Sequence, residues 1–282
     1  MLIILLVSLI SPSIRGLNQM LKICELFAIE FDVTFNCRKT VCIKFGEPVN
    51  DCEHVYLNNK AIDWVDSIRH LGNFIDKSLT DEIDIKTKMS HFIGYVNKLI
   101  ANFSHLQIPV LLRLFKTYCC SFYGSQLWLL NDVYIDKLCI SWNKGVRRIL
   151  NLPYDTHKWV LGPLLNQYHI KDQFCHRTLR FISGLSMCNN SMVQACLENA
   201  THNANTPIGS NIAFFRYKFG VDILESDLKS SYMKIKPNKL DDKSESLLEV
   251  LNDLLMCRRN ILSIECLSYE NITLLINSIA SL

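Results

Sequence analysis

The chain has 282 residues, 49% of them hydrophobic and 20% charged, which is enough to bury one large or two small cores and too apolar for a disordered polymer. A net charge of +3 does not by itself mark a nucleic-acid binder, yet residues 82–180 hold 13 Lys/Arg against 6 Asp/Glu, so the positive charge is concentrated in the middle. Twelve cysteines are scattered through apolar helical text without one C-x-x-C pair. That pattern favours a reduced intracellular protein with buried thiols over a disulfide scaffold, and it disfavours zinc even at Cys37, Cys42, Cys52 and His54.

The Met1–Ile10 run is apolar except for Ser8. About ten residues fall short of the roughly twenty that a bilayer requires, and no Lys or Arg precedes Arg15, so a buried β-strand is expected rather than a membrane anchor or a signal peptide. A helix follows Ser11-Pro12-Ser13, with apolar residues at Leu17, Leu21, Cys24, Ala28 and Phe31. Thr40–Phe45 alternates as a strand does, and 46–51 is turn-rich. Val55–Leu57 and Ala61–Val65 flank Asn58-Asn59-Lys60, and Asn tolerates the positive φ of a tight turn, so this is a hairpin with His70–Ile75 as a third short strand.

From Asp81 the text turns helical. Ile85, Met89, Phe92, Val96, Leu99 and Phe103 recur on one face, and Pro109 opens a second helix through Leu111, Leu114, Phe115, Tyr118 and Phe122. Tyr123-Gly124 marks a bend or close crossing, and a third helix runs from about Val133 to Leu150, stopped by Pro153. Residues 201–212 are the best linker candidate, a second loose patch spans 230–246, and Ser246-Leu247-Leu248-Glu249 fits a capping box for a C-terminal helix. The fold class expected is therefore α+β with helix dominant. A small antiparallel sheet with a β-hairpin occupies residues 1–80, a helical body 81–200, and a C-terminal helical segment 213–282.

Two blocks, Asn36-Cys37-Arg38-Lys39-Thr40-Val41-Cys42-Ile43-Lys44-Phe45 and Ser67-Ile68-Arg69-His70-Leu71-Gly72-Asn73-Phe74-Ile75, precede Phe122-Tyr123-Gly124-Ser125-Gln126-Leu127-Trp128 and the run from Val146 to His157. In order and spacing they resemble the C-terminal half of a LINE-type (non-LTR) retrotransposon reverse transcriptase, over about residues 11–185. The resemblance implies a partial polymerase palm with a primer-grip hairpin, followed by a helical thumb and post-thumb region. It also implies an Asp pair just ahead of the first helix, holding Mg²⁺ with an earlier palm Asp, since two metal ions activate the attacking and leaving oxygens of nucleotide transfer. This chain has no Asp before Asp32, so the sequence leads us to expect no cofactor and a catalytically inactive, truncated polymerase fragment. The alternatives are a helical protein-interaction module, or part of a longer active reverse transcriptase.

Lys39 matches the family's Asn-x-x-Lys-Thr element, where a lysine near the triphosphate helps protonate departing pyrophosphate; a lysine that simply opens a strand is equally compatible. Gly72 suits either close approach of backbone to a nucleic-acid strand or a β-bulge or packing position. Lys137, Lys144 and Arg148 share one helical face, with Arg147 adjacent, and these four are the phosphate-binding candidates; a solvated face is the plain alternative. Trp128, Trp142 and Trp159 are expected in the core rather than stacked on bases. The expected partners are RNA or DNA, or a protein docked on an exposed palm face, and no membrane. The expected location is intracellular, nucleus or cytoplasm.

Overall fold

The structure, a computed structural model, describes residues 7–46, 54–165 and 167–221. It is α+β with helix dominant. The chain divides into two compact units, and the boundary between Ile83 and Asp84 falls in the first turn of a helix.

In the first unit, α1 (Ile14–Glu30) starts at Ser13, whose hydroxyl accepts the Gly16 amide at 3.1 Å. It buries Leu21 and Ala28, and Leu21 packs with Val55 and Leu57 of strand β2 (Val55–Leu57). Its end is closed by Asp32 in the left-handed region at φ 51, with Val33 N–H donating back to Ala28 O. Strand β1 (Val41–Cys42) pairs in parallel with β3 (Lys60–Trp64), which pairs antiparallel with β2. The expected hairpin is present: Asn58 and Asn59 both take positive φ (51 and 58) in a two-residue connection.

Three expectations change here. The stretch His70–Ile75 is not one strand, because Leu71-Gly72 is itself a two-residue turn between β4 (Ser67–His70) and β5 (Asn73–Asp76). The sheet is not wholly antiparallel, since β1 follows β3 in parallel. Of the expected N-terminal strand, residues 1–6 lie outside the described residues, while Val7–Ile10 has no regular structure and Ile10 is exposed, so this part is not a buried strand.

The second unit opens with α2 (Glu82–Phe103), which buries Ile85, Phe92, Val96 and Leu99; the expected sixth position, Phe103, is exposed in the last turn. Helix α3 (Ile108–Leu114) begins with Pro109 in its first turn and widens into a π-turn at Phe115–Cys119, where Cys120 N–H reaches Phe115 O at 3.3 Å. The extra residue per turn advances the phase. Cys119 and Cys120 therefore face inward and Tyr118, expected inside on an even 3.6-residue period, points out.

After a bend at Gly124 (φ 81), α4 (Val133–Leu150) is capped by Asp132 and ends at Asn151 in the left-handed region. Leu138, Trp142, Val146 and Ile149 line its buried face. Helices α5 (Lys158–Leu164), α6 (Ile170–Ser186), α7 (Ser191–His202) and α8 (Pro207–Phe219) follow among the described residues of the unit. The core contains Phe92, Phe115, Phe122, Trp128, Trp142, Phe174 and Phe215, so Trp128 and Trp142 are core residues as expected.

The stretch 201–212 is not a linker. Four residues, 203–206, join α7 to α8, where Thr206 caps the Gly209 amide and Pro207 opens the helix. The Asn211 side chain then accepts Leu130 N–H and donates to Trp128 O, both at 2.9 Å, while Ile212 and Phe215 join the core. The loose patch at 230–246 and the capping box at Ser246–Glu249 lie outside the described residues.

Candidate nucleic-acid interface

The second unit is held together by buried polar pairs. Trp128 Nε1 donates to Asp84 at 2.7 Å, and Lys88 pairs with the same carboxylate within the same helix. Arg177 donates to Phe122 O at 2.8 Å and to buried Ser125 Oγ at 3.0 Å. The Phe122–Trp128 motif is thus an internal clamp. Burial pushes the Cys120, Cys139 and Cys175 thiols up to about 12, so these cysteines stay protonated packing groups.

Against this frame α4 and α2 run side by side in the same direction, because Tyr134 meets Lys86, Gly145 faces Phe92 and Arg148 bonds Asn97 in order along both helices. A Cβ at Gly145 would stand 2.9 Å from the Phe92 ring, so glycine sets the closeness of the pair. The exposed residues of α4 include Lys137, Ile140, Lys144 and Arg148, while the exposed Asp136 beside Lys137 is paired with Lys171 at 2.6 Å. The helical rise puts Lys144 about 10 Å along the axis from Lys137 and about 6 Å from Arg148.

Lys137 leans over Tyr134 with its Nζ 4.6 Å from the ring centroid, and Lys86 of α2 leans over the same ring at 4.8 Å. Arg148 Nη1 donates to Asn97 Oδ1 at 2.7 Å, which orients the guanidinium along the groove between the helices. Lys144 stands exposed between them.

Arg147 does not belong to this face. Its Nε and Nη2 both donate to Thr156 O, at 3.0 and 2.6 Å, and its guanidinium lies 6.0 Å from the Tyr154 ring centroid. Burial lowers its pKa from the ordinary value, while Tyr154 and Asp155 oppose that change. A helical projection places Arg147 beside the stripe, but the turn after the helix claims it.

Lys39 and Gly72 lie in the first unit. Lys39 is exposed in a turn built on Asn36, whose carbonyl accepts the Lys39 and Thr40 amides at 3.0 and 3.1 Å, two residues ahead of β1. Gly72, at φ 88, is the second residue of the β4–β5 turn, a conformation that favours glycine and accounts for it without a bulge. Lys86 and Asn97 were not among the sequence candidates, because no spacing within one helix reveals a neighbour supplied by another.

Cys52 of the possible zinc set lies outside the described residues. Cys37 donates to Leu57 O at 3.7 Å and Cys42 is buried in the small core. Among the described residues no three His, Cys, Asp or Glu side chains lie close enough to share a cation. Among the same residues no helix is long and apolar enough to cross a membrane.

No family model matches the chain, and no solved structure matches it. Two curated relatives do. The RNA-directed DNA polymerase from mobile element jockey of Drosophila melanogaster is 23% identical over 196 residues, 67% of this chain and 21% of the relative. Its counterpart from Drosophila funebris is 23% identical over 145 residues, 49% of this chain and 16% of the relative. The chain spans about a fifth of their length. These matches support a distant reverse-transcriptase-like relationship. They also correct the expectation that the chain is no enzyme: both relatives are polymerases, and a missing acidic pair does not establish inactivity in a chain that aligns with so small a part of them.

Proposed function

We propose that this chain serves an RNA-directed DNA polymerase of the non-LTR retrotransposon kind by gripping nucleic-acid phosphates along the α4–α2 face. The observation that carries the reading is the row of exposed cations Lys137, Lys144 and Arg148 along α4, with Lys86 of α2 over the same Tyr134 ring as Lys137. Each cation that neutralises a phosphate releases condensed counterions, which makes such binding indifferent to sequence and steeply dependent on salt. Arg148 spends one donor on Asn97, and its remaining donors can grip a phosphate in fork geometry; the lysines act as point charges. The partner is RNA or DNA, which sets the working location as nucleus or cytoplasm.

Fluorescence anisotropy with a labelled duplex, titrated across potassium chloride concentrations, tests this. The variant K137Q/K144Q/R148Q should bind more weakly at low salt, and its log–log salt slope should flatten by up to about 0.9 per lost phosphate contact. Arg147→Gln should leave the slope unchanged. Circular dichroism must show both variants folded, as the buried face of α4 is untouched. A triple variant that binds as the parent does, or a parent that binds neither duplex nor single strand, overturns the proposal.

One observation favours a second reading, a protein partner on the first unit. Ile23, Leu26 and Ile29 of α1 are 66%, 66% and 80% exposed, and Phe27 stacks on Phe31 beside them. Docking there would be insensitive to salt and lost in Leu26→Glu, which a pull-down in high salt reads directly.

A further inference from the structure

We infer that Tyr154 is a stacking platform for an unpaired nucleobase at the Arg148 end of the basic face, so that the strand held there is single-stranded. This rests on the phosphate-gripping reading of α4 and adds to it the kind of strand and the residue that reads it.

The turn after α4 is unusually well fixed for a surface loop. Leu152 N–H donates to Arg147 O at 2.8 Å and its side chain is buried. Thr156, only 1% exposed, donates its hydroxyl to Pro153 O at 2.8 Å, and its carbonyl receives both nitrogens of Arg147. The backbone is therefore pinned on both sides of Tyr154. Yet the Tyr154 side chain is 78% exposed. A rigid loop that holds an aromatic ring in water has lost the entropy of ordering it without gaining burial, which is what a preformed contact surface looks like.

The chemistry of the surroundings selects the occupant. The Arg147 guanidinium lies over one face of the ring, 6.0 Å from its centroid, polarising it as a cation does and leaving the opposite face to a flat partner. Arg148, the next residue along α4, turns its guanidinium to the phosphate face. Asp155 follows Tyr154 directly and repels phosphate, so a strand crossing this end keeps its backbone on the Arg148 side and turns a base toward the ring. A base inside a duplex is already stacked on its neighbours, whereas an unpaired base has a free π-face and every base type offers one.

The test compares two labelled single strands of equal length and charge, an oligothymidylate and the same backbone with abasic sites throughout, on the parent, Tyr154→Phe, Tyr154→Ala and K137Q/K144Q/R148Q. The parent and Tyr154→Phe should prefer the base-bearing strand by about tenfold, the size of one stacking contact, and Tyr154→Ala should bind both strands alike with the parent's salt slope. Thermal melting keeps the comparison fair, because the loop is pinned through Thr156 and Arg147 rather than through the ring. Preference that persists in Tyr154→Ala, or that the parent never shows, overturns the stacking platform while leaving the phosphate grip standing. Binding of the abasic strand unchanged in the triple variant overturns the phosphate grip, and the inference falls with it.

Discussion

The two units of this chain are stabilised by different means. The second buries two tryptophans and five phenylalanines almost completely, and among its described residues only Asn151 outside glycine takes a positive φ. The first has a small core of Leu21, Cys42, Val55, Leu57 and Ile62, yet it carries Asp32, Asn58, Asn59, Leu71 and Leu79 in the left-handed region. One unit is specified by burial and the other by local backbone geometry. A large buried aromatic tolerates little change, whereas a strained turn leaves room for improvement.

The largest effect should come from Trp128→Ala. It removes a side chain that is 1% exposed, opens a cavity beside Phe122 and Phe174, and takes one partner from the buried Asp84 carboxylate. We expect a loss of about 3–5 kcal/mol, seen as a lower urea midpoint by circular dichroism at the helical band. In the first unit Ile62→Val should cost only about 0.5–1.5 kcal/mol. Similar losses at the two sites would erase the contrast between the units.

A smaller effect is expected from acid, through His169. Its Nδ1 accepts the Lys171 amide at 3.3 Å as the cap of α6, and its Nε2 faces Asn143 Oδ1 at 3.0 Å, an arrangement that suits the neutral ring. Burial first, then Lys158 and Lys171, push its pKa down from 6.5 to about 4. The unfolded chain therefore takes a proton near pH 6.5 that the folded chain resists until about pH 4, and stability falls as pH drops through that window. His169→Asn keeps a capping acceptor without the titration. Melting temperatures from pH 7 to 4 should decline less in that variant than in the parent. Asp172, which burial raises, and His176, which burial lowers, titrate in both proteins, so the difference between the curves isolates His169.

The sequence made some of this contrast legible. α2 and α4 are readable because their apolar residues recur at the helical period and each meets one core. The Asn58-Asn59 turn is readable because few other residues accept two positive φ values in a row. The π-turn at Phe115–Cys119 is not, since one inserted residue shifts the phase without changing composition, and Tyr118 and Cys120 exchange places with respect to the core. In the basic face, Lys137, Lys144 and Arg148 follow from spacing alone. Arg147 and Lys86 do not, because what decides them is a carbonyl at Thr156 and a ring shared at Tyr134. Residues 201–212 misled for a related reason: Asn, Thr and Pro build linkers, but Thr206 and Pro207 are also what starts a helix.

The smallest effect sharpens the comparison from the side of the first unit. Leu71 takes φ 47 in the β4–β5 turn, is 65% exposed, and precedes Gly72 at φ 88. Two positive φ values in a two-residue connection demand the turn that Asn-Gly serves best, and a branched apolar side chain there is strained without burial to offset it. Leu71→Asn restores that pair and loses almost no packing. It should stabilise the hairpin by about 0.5–1 kcal/mol, which hydrogen exchange reads as a rise of about two- to fivefold in protection at the amides of β4 and β5. The amides of α4 should be unchanged. Protection that stays flat or falls in β4 and β5 would mean that Leu71 is held by a contact rather than strained, and the first unit would then resemble the second in what stabilises it.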